Sequence, residues 1–246
     1  MKKPRHQSGG FSLVELLAVL AIVALLSALL LPVLSKSKAS AQRIQCVNQL
    51  RQLGLATQMY WDDHGGDAFR WRGVATNNGR IYWFGWLEHG KEGQRQFDAS
   101  HGVLFPYVSG RGLEICPAFN YANPRLKLKA TGASYGYGYN LSLSAPSNDS
   151  PINVSKIGRA SELVLLADAA QVNTFQPPAS PEHPMLEEFY YVSTNEATAH
   201  FRHQSVGNAV FCDGHVAREK PASGSIDQRL PREQVGRLRN EALVVR

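Results

Sequence analysis

Four residues that commonly bind metal lie close together near the end of the chain: His200, His203, Asp213 and His215. Imidazole nitrogens and carboxylates are donors that zinc and calcium sites use. Turn chemistry accounts for the same residues. Asp213-Gly214 separates two short runs, Asn208–Cys212 and His215–Arg218, and Asp-Gly in that setting favours a tight type I′ hairpin. On this reading Cys212 faces His215 and Phe211 faces Val216. Asp213 hydrogen-bonds nearby backbone, and Gly214 takes a positive φ without steric cost. His203 then holds the incoming loop against the turn. We expect the turn reading, with a metal set drawn from the four residues as its competitor. No catalytic residue and no cofactor is expected: the chain has no H-E-x-x-H, G-x-S-x-G or phosphate-binding glycine loop.

The other reactive side chains are three cysteines, Cys46, Cys116 and Cys212, and none forms a C-x-x-C pair. That spacing argues against a zinc ribbon or a thioredoxin-type motif. An exported domain with three cysteines has room for one disulfide and one leftover thiol.

The element that would carry such a domain out of the cell stands at the other end. Leu16 to Ser35 is a run of twenty residues without a charge. At about 1.5 Å per residue a helix of that length spans about 30 Å, the thickness of a bilayer's hydrocarbon core. Lys2, Lys3 and Arg5 precede it, so the N-terminus is expected to stay cytoplasmic while the rest crosses. The chain has 246 residues and a formal charge of +6, yet this charge sits at its two ends. The leader carries three basic residues, and Arg218 to Arg246 holds seven basic and four acidic ones. The middle is close to neutral, which argues against a nucleic-acid binder.

Three readings of the apolar run compete. A secretory signal peptide could be cut at Ala39-Ser40-Ala41, but the run exceeds the usual h-region, Lys36 and Lys38 crowd the site, and Glu15 interrupts its start. An uncleaved anchor is the second. In the third, Gly10-Phe11-Ser12-Leu13-Val14-Glu15 resembles the processing motif of type IV pilins and type II secretion pseudopilins. That resemblance implies a cut between Gly10 and Phe11 by a prepilin peptidase, which also methylates the new N-terminus. Glu15 becomes the fifth mature residue and Pro32 the twenty-second, positions where pilins carry these residue types. An ionised carboxylate near the end of a membrane helix needs a partner. The ammonium group of a neighbouring subunit could supply one and set the axial register.

The resemblance extends further along the chain. Cys46-Val47-Asn48-Gln49-Leu50-Arg51-Gln52, Cys116-Pro117 and the H-x9-D-G spacing of His203, Asp213 and Gly214 are similar to motifs of a bacterial prepilin-like family. Cys212 stands where that family more often has a small residue, so its role stays open. We expect a Cys46–Cys116 disulfide tying the helix to the head, against the alternative of two buried thiols.

The expected architecture is α+β: a long N-terminal transmembrane and filament helix packed on a C-terminal antiparallel β-sheet head. Residues 1–10 form a cleaved basic leader. Residues 11–64 form the helix, with 11–35 spanning the membrane, 65–218 a β-rich head and 219–246 a basic tail. Pro32 should kink the helix without ending it, and Gly65 should cap it after roughly 80 Å. In the head, the 80–87 stretch, Tyr135/Tyr137/Tyr139, Leu163–Ala167, a buried strand ending at Asp168, and Phe189–Val192 read as strands or aromatic core. The expected role is a structural filament subunit at the inner membrane with its head in the periplasm. Its partners are other pilin-like subunits, the prepilin peptidase, an assembly platform and membrane lipid, with no nucleic acid. An adhesive or DNA-capturing pilin and a membrane-anchored metal-dependent hydrolase are the alternatives.

Overall fold

The computed structural model describes residues 12–108, 115–131, 135–144 and 152–245. The chain is α+β and divides into two units, residues 1–41 and 42–246. Among the described residues there is one α-helix, Leu13–Asp63, and it belongs partly to each unit. Its 51 residues make it about 77 Å long.

In the first unit the helix is apolar all round, and every large apolar side chain from Leu13 to Leu34 is exposed. It is long and apolar enough to cross a membrane. The helix continues through Pro32, where a proline cannot donate its backbone bond; Ser35 Oγ donates to the Pro32 carbonyl at 3.0 Å. At the start, Ser12 N donates to Glu15 Oε2 at 2.9 Å and Glu15 N donates to Ser12 Oγ at 3.2 Å. This reciprocal pair is a capping box, which satisfies two donors that the first turn would otherwise leave open.

In the second unit the helix is one-sided. Cys46, Leu50, Leu53, Ala56, Thr57 and Trp61 are buried at helical spacing. The helix ends where the sequence places its stop, with Gly65 and Gly66 at positive φ and Gly66 N donating to the Trp61 carbonyl at 2.7 Å.

The buried stripe shares a core with one face of a five-stranded sheet. In spatial order its strands are Tyr191–Val192, Tyr137–Asn140, Val164–Asp168, Gly207–Phe211 and Val216–Glu219. Tyr191–Val192 runs parallel to its neighbour and the other pairs are antiparallel. Tyr137, Tyr139, Leu166 and Val210 join Leu50, Leu53 and Trp61 in this core. Gly54 permits a close approach, because a Cβ there would lie 2.7 Å from Val210 Cγ2. Val164, Ala167, Ala209 and Phe211 contribute to a second core with Leu238, Ala242 and Leu243.

Two expectations change. Residues 220–245 do not form a tail: Leu230, Val235, Leu238, Ala242 and Leu243 are buried, and Arg239 pairs with Glu219 at 3.1 Å. The terminal hairpin is shifted by one residue. Val210 faces Val216 and Ala209 faces Ala217, so Phe211 rather than Cys212 stands opposite His215. Cys212 enters a three-residue loop closed by Gly214 at φ +90°. A tight turn followed by a glycine at positive φ is the usual three-residue hairpin, and it keeps Val210 on the helix-facing core. The 80–87 stretch forms an antiparallel hairpin, Gly79–Tyr82 with Gly85–Glu88, in a separate four-stranded sheet.

Candidate functional site

The sequence candidates separate in space. Asp213 and His215 occupy the exposed hairpin loop, where Asp213 Oδ1 accepts from His215 N at 3.1 Å and contacts His215 Nδ1 at 2.6 Å. His200 is buried with its ring edge-on to Phe119, and burial drives its pKa well below the ordinary value. His203 does not touch the turn. Its backbone N donates to the Val206 carbonyl at 3.0 Å, and its ring enters a polar cluster on the buried side of the helix. The cause is Asp168. A buried carboxylate at the end of the Val164–Asp168 strand needs partners, and the loop carrying Arg202 and His203 supplies them.

Four segments meet in this cluster: Cys46 from the helix, Cys116 from the loop before Pro117, Asp168 from the strand end and His203 from the 201–206 loop. Cys46 Sγ lies 3.2 Å from Asp168 Oδ1. His203 Nε2 lies 3.5 Å from Cys116 Sγ and 3.3 Å from Asp168 Oδ2. All four ligand atoms fall within 4.8 Å of one another, and all four residues are buried. The expected pair Cys46 and Cys116 is thus brought together, with both present as free thiols.

Surrounding groups hold these atoms in place. Arg202 donates to Asp168 Oδ1 through Nη2 at 2.9 Å and Nε at 3.2 Å, and it donates to the Gly136 carbonyl. Asn208 N donates to Asp168 Oδ2 at 2.7 Å. Cys46 Sγ accepts from Asn208 Nδ2 at 3.5 Å and lies 3.4 Å from the Tyr137 hydroxyl, which donates to Gln49 Oε1 at 2.6 Å. Gln42 and Gln49 reach from the helix to the carbonyls of Pro117 and Ile115, clamping the segment that bears Cys116.

The electrostatics separate the two thiols. The hydrogen bond with Cys46 lowers the Cys116 pKa to about 5 against the opposing effect of burial, with Arg202 and His203 adding to the depression. Burial raises that of Cys46, helped by its bond to Cys116 and by the Asp168 carboxylate. Burial alone would raise Asp168, but the Arg202 charge and the His203 hydrogen bond hold it below the usual carboxylate range. Burial alone would lower His203, but its bonds to Asp168 and Cys116 hold it up to about 9.

This arrangement can do thiol or metal chemistry. It does not resemble a nucleophile–base–acid relay, which needs a separate partner on each ring nitrogen. Here Nε2 alone faces both the sulfur and the carboxylate. A second buried charged group, Lys127 and Lys129 with Glu92 and Glu187, closes on itself through ion pairs. Lys127 Nζ sits 2.5 Å from Glu187 Oε1, and Asn173 Nδ2 donates to Glu187 Oε2 at 2.8 Å.

At the N-terminal end, Gly10 and Phe11 lie outside the described residues, while Glu15 and Pro32 stand on the helix. The Ser12 cap of Glu15 was missed from the sequence, although Ser12-x-x-Glu15 before an apolar run is a capping-box pattern that could have shown it. The family model of the prokaryotic N-terminal methylation motif matches residues 5–31. No curated protein and no solved structure matches the chain.

Proposed function

We propose that this chain, type IV pilin-like in its N-terminal methylation motif and apolar helix, is a structural subunit of a secretion pseudopilus or pilus-like filament. The observation that carries the reading is the exposed helix surface from Leu13 to Leu34 behind that motif. Fifteen large apolar side chains are open there. At about 1.5–3 kcal/mol for each one fully buried, covering them is worth on the order of 20–45 kcal/mol. That exceeds the 5–15 kcal/mol that typically holds a whole domain folded. Such a surface belongs in lipid or among like helices. Lipid covers it before assembly and neighbouring subunits cover it afterwards.

The basic leader keeps the N-terminus in the cytoplasm and sends the head across the inner membrane. A prepilin peptidase cuts after Gly10 and methylates Phe11. Glu15 then serves two partners. One carboxylate oxygen accepts from Ser12 N within its own helix. The remaining lone pairs accept from the N-terminal ammonium of a neighbour, in a bundle dry enough for that pair to matter. The head has no part in the anchoring chemistry; it is the portion presented to the filament exterior.

N-terminal sequencing of the mature protein tests the reading. A chain beginning at N-methylated Phe11 supports it, and a chain beginning at Gln42 replaces it with ordinary secretion.

A further inference from the structure

We propose that Cys46, Cys116, Asp168 and His203 form a buried structural zinc site that pins the long helix to the head. The first argument is distance. With metal–sulfur near 2.3 Å and metal–nitrogen or –oxygen near 2.0–2.2 Å, neighbouring ligand atoms of a tetrahedral site sit about 3.3–3.8 Å apart. His203 Nε2 meets that range at 3.3 Å from Asp168 Oδ2 and 3.5 Å from Cys116 Sγ; Cys46 Sγ lies 3.2 Å from the other carboxylate oxygen, Oδ1, and one ligand atom from each of the four residues falls within 4.8 Å of the rest.

The second argument is direction. An imidazole N–H points along one line and serves two acceptors poorly. His203 Nε2 nevertheless faces both Cys116 Sγ and Asp168 Oδ2. A nitrogen lone pair aimed at a cation between them satisfies all three atoms together.

The third argument is the surrounding support. Metal ligands are oriented and tuned by outer hydrogen bonds. Asn208 Nδ2 is directed at Cys46 Sγ, while Arg202 and the Asn208 backbone N–H are directed at Asp168. Charge closes as well. Two thiolates and one carboxylate carry three negative charges, and a dication with the Arg202 guanidinium carries three positive ones.

The donor set selects the ion. Two soft sulfurs, an imidazole and a single carboxylate suit four-coordinate zinc, whereas calcium and magnesium require six or more oxygens. Four protein ligands in a buried position describe a closed, structural site. Binding releases two protons in all, so that both sulfurs are thiolates and His203 is neutral, changes no oxidation state and forms four metal–ligand bonds. Of the four sequence candidates, only His203 belongs to this set.

The test uses the full chain, free of tags and purified in detergent without chelator. We expect about one zinc per chain by elemental analysis, with two sulfur and two nitrogen or oxygen neighbours in the zinc X-ray absorption spectrum. Zinc content should fall at least about tenfold in Cys46→Ser and His203→Ala, and stay unchanged in Cys212→Ser and His215→Ala. The cysteine variants can fail to fold, so the wild type is also exchanged with cobalt(II); tetrahedral d–d bands with sulfur charge transfer are expected. Less than about 0.1 zinc per chain, together with no cobalt spectrum, overturns the proposal. So does a Cys46–Cys116 disulfide in non-reducing peptide maps of fresh protein, or loss of zinc in Cys212→Ser.

Discussion

The two halves of the long helix share a backbone geometry and differ in what surrounds them. Leu13 to Leu34 is apolar on every side and exposed throughout. Cys46 to Trp61 buries one stripe and exposes Leu55 and Met59 on its other faces. Hydrogen bonding makes both halves helical, so the backbone does not distinguish them. The pattern of side chains does. A one-sided stripe is matched by the sheet of the same chain, while an all-round apolar surface requires a medium or partners from outside it. On the proposed function the roles divide along the same line, with membrane and assembly falling to the first half and the stability of the head to the second.

Five changes test that division, the largest effect first. Gly10→Val should block processing and leave nearly all of the protein as full-length precursor in the membrane, read by mass and N-terminal sequence. Glu15→Ala should insert and be cut normally yet enter filaments poorly, read by electron microscopy and shearing; normal assembly would remove Glu15 from the mechanism. Leu50→Ala should destabilise the head by about 2–5 kcal/mol, since it leaves a cavity at a fully buried position. Gly54→Val should cost about 1–3 kcal/mol, because the new Cβ meets Val210 Cγ2 at 2.7 Å. Leu26→Ala is the counterpart in the first half. It should move the thermal unfolding of the head by less than about 0.5 kcal/mol. Equal effects of Leu50→Ala and Leu26→Ala on that unfolding would erase the distinction between the halves.

The helix was readable because its signals are local. An uncharged run, a helical stripe and Gly65 each lie within a few turns of what they specify. The strand ending at Asp168 was readable for the same reason. The hairpin was found, but its register was not. Asp-Gly serves both a two-residue and a three-residue loop, and the choice depends on which side chains the helix-facing core demands. The fold of residues 220–245 was hidden because basic residues alternate with Leu230, Val235 and Leu238, and the burial of these depends on partners elsewhere in the chain. The ion-paired Lys127, Glu187 and Glu92 left no signal, since no local pattern marks a buried charge. The site itself was half legible. Cys46, Cys116 and His203 stood out as residues, but Asp168 registered only as a strand end. Nothing in the spacing said that Asp168, rather than Asp213, would meet His203.

The polar cluster also has a chronology. Its contacts close long stretches of chain: 87 residues from Cys116 to His203, 122 from Cys46 to Asp168 and 162 from Cys46 to Asn208. Contacts this distant in sequence are slow to form, because the intervening loop must be ordered first. A ribosome makes Cys46 early, Cys116 next, and Asp168, Arg202, His203 and Asn208 only near the end. For that interval the two thiols exist without the acid, the base and the donors that engage them in the finished head. A nascent chain that ends between Cys116 and Asp168 therefore carries both sulfurs without Asp168, Arg202, His203 or Asn208, so thiol protection reports on the last stage of folding.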